Sequence, residues 1–522
     1  MKKILLFAAL GLSVMAQAVE LDYYKTLVDI QADPTKGTVQ LYNYEYAADG
    51  SLYGLAMYQT ASSAETGLQF AGNDYKGATA SKWGSNAGEL KVTNMRNSFL
   101  YKLNKDGDLL WAKADTTGDY DLANSAINST PFGGVIYADK FRTRKGVYMG
   151  YINVYDNAGN LLGSNSMSFT TYDSIVVDGK KIKRKEAFSW AGVEMDQDSF
   201  VYVAGLQGDT LLPVWNDSIT PRKAWNTQGS LSSNCNTVIL KYKLQPDQWP
   251  DLQYVGSVIN NDALTYDSPT GMYYEGGKLY IAGKYGTDVE SGIFAACYNA
   301  ATLSREYVVY HPITGSLQFQ QTKFEDGKIF VCGGLSKGSI TVGAKTVATA
   351  GNNNNGFVFV MNQANGQALD ADVHAAKNNA LNVTVAAYPT KDGFVAYNQE
   401  TLNGINSALN YDKNMNLVSI DTIATGGGSS TINCVGRSAD GNQTAVGLRA
   451  RTNKDFNVLG NILKPADTNW YCVLAALNTK GQTPTGIENT NISNETVKAV
   501  KVIKNGQLFI IRDGKTYNIL GF

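Results

Sequence analysis

Two histidines, His311 and His374, are the only imidazoles in the 522 residues. Both follow the last strand-like run of a repeated segment, in YVVYH and in DADVH. Equivalent places in adjacent repeats would let them bind a metal or share a ligand. A zinc centre of three imidazoles is excluded within one molecule, and no Gly-x-Ser-x-Gly context supports a serine nucleophile. Asp115, Asp119 and Asp121 in DTTGDYD are spaced oxygen donors of the kind calcium takes. The loop lacks Asp-x-Asp-x-Asp-Gly spacing and a distal Glu, so a solvated turn is the preferred reading. No cofactor is expected, calcium being the one left possible. Trp83, Trp215 and Trp225 lie in Asn/Ser-rich stretches outside the strand pattern, where a ring could stack on a sugar face. Trp111, Trp190 and Trp470 fall on strand patterns and read as packing. Asp49, Asp106, Asp326, Asp392 and Asp440 each precede a glycine and read as turn caps. No phosphate-binding loop, dinucleotide fingerprint or haem-attachment motif occurs, and no catalytic residue is assigned.

The elements that would carry these residues repeat. In Ser98–Lys113, SFLYKLNKDGDLLWAK, apolar and polar side chains alternate over a strand. A Lys-Asp-Gly turn and a return strand follow. Similar hairpins recur in YINVYDNAGNLLGSN, GIFAACYNAATLSREYVVY and INSALNYDKNMNLVSID. Each is preceded by a second strand pair around a turn, such as AADGSLYGLAMY, MDQDSFVYVAG, FEDGKIFVCGG or SADGNQTAVGL. The count is seven four-stranded units. A four-stranded unit cannot bury its own faces, so seven of them stack and close as an all-β propeller. The seventh unit lacks a return strand after Trp470–Leu477, whereas Leu21–Asp33 has no unit of its own. The N-terminal segment is therefore predicted to supply the missing outer strand and close the ring. Three excursions, Ala61–Met95, Thr170–Lys185 and Gln207–Asn234, are the loops predicted to carry a binding surface.

The repeated unit, with Met195–Gly205 and Ser98–Lys113 matching best, resembles bacterial seven-bladed β-propeller repeats of exported proteins. The C-terminal segment, with Gly486-Ile487-Glu488 and then NGQLFIIRDGKTYN over Asn505–Asn518, resembles the C-terminal tails of exported Bacteroidetes proteins. That second resemblance implies delivery to the outer surface by type IX secretion, with a periplasmic or otherwise secreted location as the fallback. The tail is shorter than the full sorting domain and has no Pro-Asn-Pro opening.

Composition fits export and excludes one partner class. With 45 basic and 46 acidic residues the net charge is -1, which gives no basic footprint for nucleic acid. Glycine (52) and tyrosine (31) are abundant, as many short strands joined by tight turns require. Met1–Ala18 has a Lys-Lys start, an apolar run and an Ala-Gln-Ala end, the order of a secretory signal peptide. No other apolar run approaches the ~18 residues of a spanning helix. Of five cysteines, Cys297, Cys332, Cys434 and Cys472 sit in apolar strand runs and read as buried thiols, with a Cys434–Cys472 disulfide left open.

The expected organisation is a signal peptide (1–18), the propeller (19–485), a linker (486–498) and a short β tail (499–522). The expected function is a monomeric, non-catalytic binding scaffold on the cell surface or in the periplasm, presenting loops to a glycan, peptide or protein partner. The alternative is an enzyme acting on polysaccharide or peptide at the propeller mouth. Acids or histidines clustered at the axis would favour the enzyme.

Overall fold

The computed structural model describes residues 19–480, apart from 29–36, 62–66, 72, 77–93, 117, 121–124, 144–147, 170–173, 178–179, 184–187, 208–210, 215–216, 220–235, 249, 261–265, 288–289, 352, 376–380, 402–403, 427–429, 452–453 and 465–469. Three further strands follow in the tail. The chain divides into two units, Met1–Thr483 and Pro484–Phe522.

The first unit is a seven-bladed propeller, each blade an antiparallel sheet. The innermost strands are, in order, Gly37–Tyr46, Ala126–Ser129, Phe188–Met195, Tyr266–Glu275, Ser316–Glu325, Asn382–Thr390 and Ser430–Arg437. Each touches the next, and the last touches the first, so the strands encircle one axis. The seventh blade is completed as the sequence predicts. Glu20–Val28 pairs antiparallel with Trp470–Asn478, from Glu20 opposite Asn478 to Val28 opposite Cys472. Leu27 of that strand is buried with Tyr44 and Phe99 of the first blade and Cys434 and Leu474 of the seventh. The first and last blades thus share one apolar interface across the closure. Other clusters fill the gaps between successive blades, as where Ile136 and Val154 meet Val203 and Leu240.

Local chemistry explains the regular turns. Between the third and fourth strands of the first blade, Asn104 Oδ1 accepts the Asp106 and Asp108 amides at 2.9 and 2.8 Å. Gly107 takes φ +83 against the Tyr23 ring. Asp156 and Asp412 serve the same role in the second and sixth blades, accepting from Asn160 and Asn416. A short polar side chain satisfies turn amides that would otherwise be unpaired, and it fixes the register of the hairpin.

Antiparallel strands put the first-to-second and third-to-fourth turns of every blade on one face of the ring. The second-to-third connections and the blade crossovers lie on the other, which is where the excursions emerge. Their described parts are short hairpins. Gly67–Phe70 and Asn73–Lys76, from the first blade, extend the closing strand Glu20–Val28. Leu211–Val214 and Asp217–Ile219, from the third blade, extend Leu161–Phe169 of the second. Outside those excursions, Phe456–Val458 and Asn461–Leu463 of the seventh blade likewise extend Leu417–Gly426 of the sixth. Each hairpin covers part of the free edge of the preceding blade, where unpaired backbone groups would otherwise invite another strand. Ser174–Val177 and Lys180–Lys183 form a separate hairpin.

The second unit holds one antiparallel sheet of Ala499–Lys504, Gln507–Arg512 and Lys515–Asn518. Its register sets Lys504 opposite Gln507 and Arg512 opposite Lys515. No helix among the described residues is long and apolar enough to cross a membrane.

Candidate ligand site in the central channel

The inner strands enclose a channel of about 920 Å³, lined from all seven blades. Its middle and crossover end carry amides and hydroxyls, including Gln40, Asn43, Gln320, Gln321, Asn433 and Thr431. Several of these tie neighbouring blades together. Asn43 Nδ2 donates to the Ser125 carbonyl at 3.3 Å, and Gln399 Oε1 accepts the Ile432 amide at 2.8 Å.

Near the tight-turn end the lining becomes charged, and the register shows why. Each blade contributes one side chain at the same level, opposite the equivalent residue of its second strand. Glu45 faces Tyr53, Asn128 faces Ile136, Glu194 faces Tyr202 and Tyr273 faces Tyr280. Lys323 faces Phe330, Tyr388 faces Val395 and Arg437 faces Thr444. All seven line the channel. They form a ring of two acids, two cations, two phenols and an amide.

The electrostatics of this ring follow from burial. Burial pushes the Glu45 carboxyl up to about 7, against the pull of Lys323. Glu194 is held well above the usual carboxylate range by burial and then by the charge of Glu45, while Asn128 and the Tyr274 backbone favour its ionised form. Burial lowers Lys323, and Glu45 opposes that shift. Tyr273 is pushed up to about 12, again chiefly by burial. Arg437 is held in place. It donates to the Pro389 carbonyl at 2.6 Å and lies 3.5 Å from Glu325 Oε1. Tyr388 donates to the Val435 carbonyl at 3.0 Å. Its ring centroid lies 5.6 Å from Lys323 Nζ and 5.7 Å from Arg437 Cζ, inside the range of cation–π attraction. Tyr273 stacks on Phe324 at 5.9 Å, adding an aromatic wall. The ring offers hydrogen-bond acceptors, donors and aromatic faces, together with a carboxyl group, Glu45, poised to exchange a proton near neutrality.

The described residues among those singled out from sequence lie elsewhere. His311 and His374 occupy matching register positions in the fourth and fifth blades, opposite Ile293 and Gly356. Those positions are on the outermost strands, Arg305–Pro312 and Ala368–His374, away from the channel. His311 Nε2 lies 2.8 Å from the Gly366 carbonyl and its ring 5.2 Å from that of Phe359, so it packs between blades. Burial lowers both imidazoles. Asp119 is buried, and its oxygens accept from Arg96 Nε at 3.0 Å and Arg142 at 2.8 Å. Asp115 ends the strand Leu109–Asp115, and Asp121 lies outside the described residues, as do Trp83, Trp215 and Trp225. Among the described residues no group of three or more His, Cys, Asp or Glu is arranged to hold a metal. Trp111 and Trp190 pack as strand residues, donating to the Asn157 and Asp139 carbonyls. Cys297, Cys332, Cys434 and Cys472 are buried free thiols.

Sequence reasoning missed the ring, although a signal for it was present. Each member stands four or five residues ahead of a turn residue: Gly50, Gly133, Ser199, Gly277, Gly327, Gly393 or Gly441. Aligning the units on these turns, rather than on their apolar strands, brings the seven residues into one column.

No known protein family and no curated protein matches the chain. Among solved structures it is similar to the hydrazine synthase of Kuenenia stuttgartiensis (12% identity, 84% of this chain and 99% of that one, TM-score 0.41). It is also similar to the β-propeller domain of the trilobed protease from Pyrococcus furiosus (7%, 83% and 99%, TM-score 0.39). A third is Chaetomium thermophilum Sqt1, solved bound to the N-terminus of ribosomal protein L10 (8%, 85% and 100%, TM-score 0.38). These likenesses are in fold only and carry nothing about activity.

Proposed function

We propose that this protein is an exported, non-catalytic binding propeller of the cell surface or periplasm, and that its ligand site is the charged ring of the central channel. The observation that carries this reading is the ring itself: seven side chains, one per blade, converging at one level of a channel of about 920 Å³. That volume is in the range of small-molecule sites. A glycan, a peptide or a protein segment threaded into the channel would meet hydrogen-bonding groups on every side and the aromatic faces of Tyr273, Phe324 and Tyr388. Export rests on the signal-peptide pattern of Met1–Ala18, and surface delivery on the resemblance of the tail.

A second reading is favoured by one observation. Glu45 and Glu194 share the ring, each raised by burial and Glu194 also by Glu45. Two carboxyl groups that differ in proton affinity are what a hydrolase acting on polysaccharide or peptide uses as acid and base. A thermal-shift panel of glycans and short peptides on the full chain separates the two, with each ligand recovered for mass spectrometry. Saturable stabilisation by an intact ligand supports the binding propeller, and a cleaved ligand replaces it with the enzyme.

A further inference from the structure

The charges of the ring are sorted around it. In the order in which the inner strands touch, the ring reads Glu45, Asn128, Glu194, Tyr273, Lys323, Tyr388 and Arg437, then returns to Glu45. Both carboxylates belong to the first three blades and both cations to the last three. Each like pair is bridged by a neutral residue. Asn128 stands between the acids and favours the ionised form of Glu194. Tyr388 stands between the cations, with its ring within 6 Å of both. Glu325 offsets part of the Arg437 charge at 3.5 Å, which leaves Lys323 as the principal free donor of the basic half.

A ring built to neutralise itself would alternate its signs and close them into ion pairs. This one does neither. Glu45 and Lys323 sense one another's charge, yet neither makes a hydrogen bond or a contact ion pair with a described residue. Two opposite charges are thus held in a confined channel, on different blades and without a contact ion pair, Lys323 lying against the face of Tyr388. Desolvated charges left in that state are costly, and a ligand that supplies both partners relieves both costs.

We propose that the ring is the binding site for a zwitterionic ligand, a free α-amino acid or a short peptide with both termini unblocked. Its ammonium lies among Glu45, Asn128 and Glu194, and its carboxylate among Lys323, Tyr388 and Arg437. This rests on the channel-binding reading above and narrows it. An ammonium set between two carboxylates cancels their mutual repulsion. A carboxylate on Lys323 gives that ammonium the acceptor it lacks. The ligand carries no net charge, and its ammonium favours the ionised form of the two carboxyl groups that burial holds back. A neutral glycan would offer Glu45 and Lys323 hydroxyl hydrogen bonds but would give neither an opposite charge.

The test is calorimetric titration of the full chain with four probes: alanyl-alanine, its N-acetyl derivative, its C-terminal amide, and maltose. Alanyl-alanine is expected to bind, and blocking either terminus to weaken binding at least ~10-fold, the size of one lost charge-assisted contact. In Glu194→Gln, acetylation is expected to cost less than in the parent chain, and in Lys323→Met amidation is expected to cost less. The blocked peptides test the idea on the unaltered protein, so it stays falsifiable even if a variant fails to fold. Equal binding of all three peptides overturns the zwitterion. So does maltose binding that weakens in the ring variants, an outcome that leaves the channel site intact. Binding that both variants leave unchanged overturns the zwitterion and the channel site together. Absence of alanyl-alanine binding overturns the zwitterion.

Discussion

Replacing Glu45 with glutamine removes a ring carboxyl whose proton affinity falls at neutrality. In the folded chain burial raises it from the usual 4.5 to about 7. Between these values the folded state holds a proton that the unfolded state has released. Stability therefore falls as pH rises: the contribution of the neutral carboxyl is complete below about 4.5 and lost as pH passes 7. The displacement of about 2.5 corresponds to a ceiling of ~3 kcal/mol at ~1.4 kcal/mol per pH unit. Lys323 loses its counter-charge in the variant, and the channel admits water, so the net gain expected for Glu45→Gln is ~1–2 kcal/mol at about pH 8. Near pH 4.5 the two proteins should be equally stable. Denaturant midpoints of both chains, taken at intervals between about pH 4.5 and pH 8.5, measure the difference directly. A difference that stays constant across that window would refute the placement of Glu45 in a desolvated channel, because a solvent-exposed carboxylate has no such dependence.

Four further expectations follow. Leu27→Ala removes a buried side chain at the closure shared by the first and seventh blades and should cost ~2–5 kcal/mol in a denaturation experiment; a loss under ~0.5 kcal/mol would argue against closure by the N-terminal strand. Asp119→Ala leaves Arg96 and Arg142 without their shared carboxylate and should destabilise by ~2–4 kcal/mol. Adding calcium or a chelator should leave the melting temperature of the parent chain unchanged, and a calcium-dependent rise would instead establish the aspartate loop as a metal site. A Cβ at Gly283 would lie 2.1 Å from the Ser268 carbonyl oxygen, so Gly283→Ala should cost ~1–3 kcal/mol by forcing strands of the fourth blade apart; an unchanged midpoint would refute that close approach.

The blades were legible because each rests on local signals: alternating apolar residues, and turns of the Asn104 kind that satisfy their own amides. Closure was legible because one strand was missing at one end of the repeat and one was spare at the other. The site was not, for a physical reason. Inner-strand residues such as Glu45 and Lys323 border a channel, so they are as polar as residues on an outer surface, and nothing local separates the two. Only the ring as a whole tells them apart, and that requires all seven blades in register. The partners of the edge hairpins were hidden for a related reason. Hairpins such as Phe456–Val458 with Asn461–Leu463 pair with a blade other than their own, and sequence neighbourhood does not reveal such a partner. The histidines show the same gap between equivalence and position. His311 and His374 hold matching register positions, but on the fourth strand of their blades, the one farthest from the axis.

The most direct measurement is a crystal structure of the full chain soaked with whichever small ligand stabilises it most in the thermal-shift panel. The expected result is density in the central channel at the level of Glu194 and Lys323, within hydrogen-bond distance of both halves of the ring. Density on the edge hairpins or the outer strands, with only water between the ring residues, would contradict the assignment of the channel as the binding site.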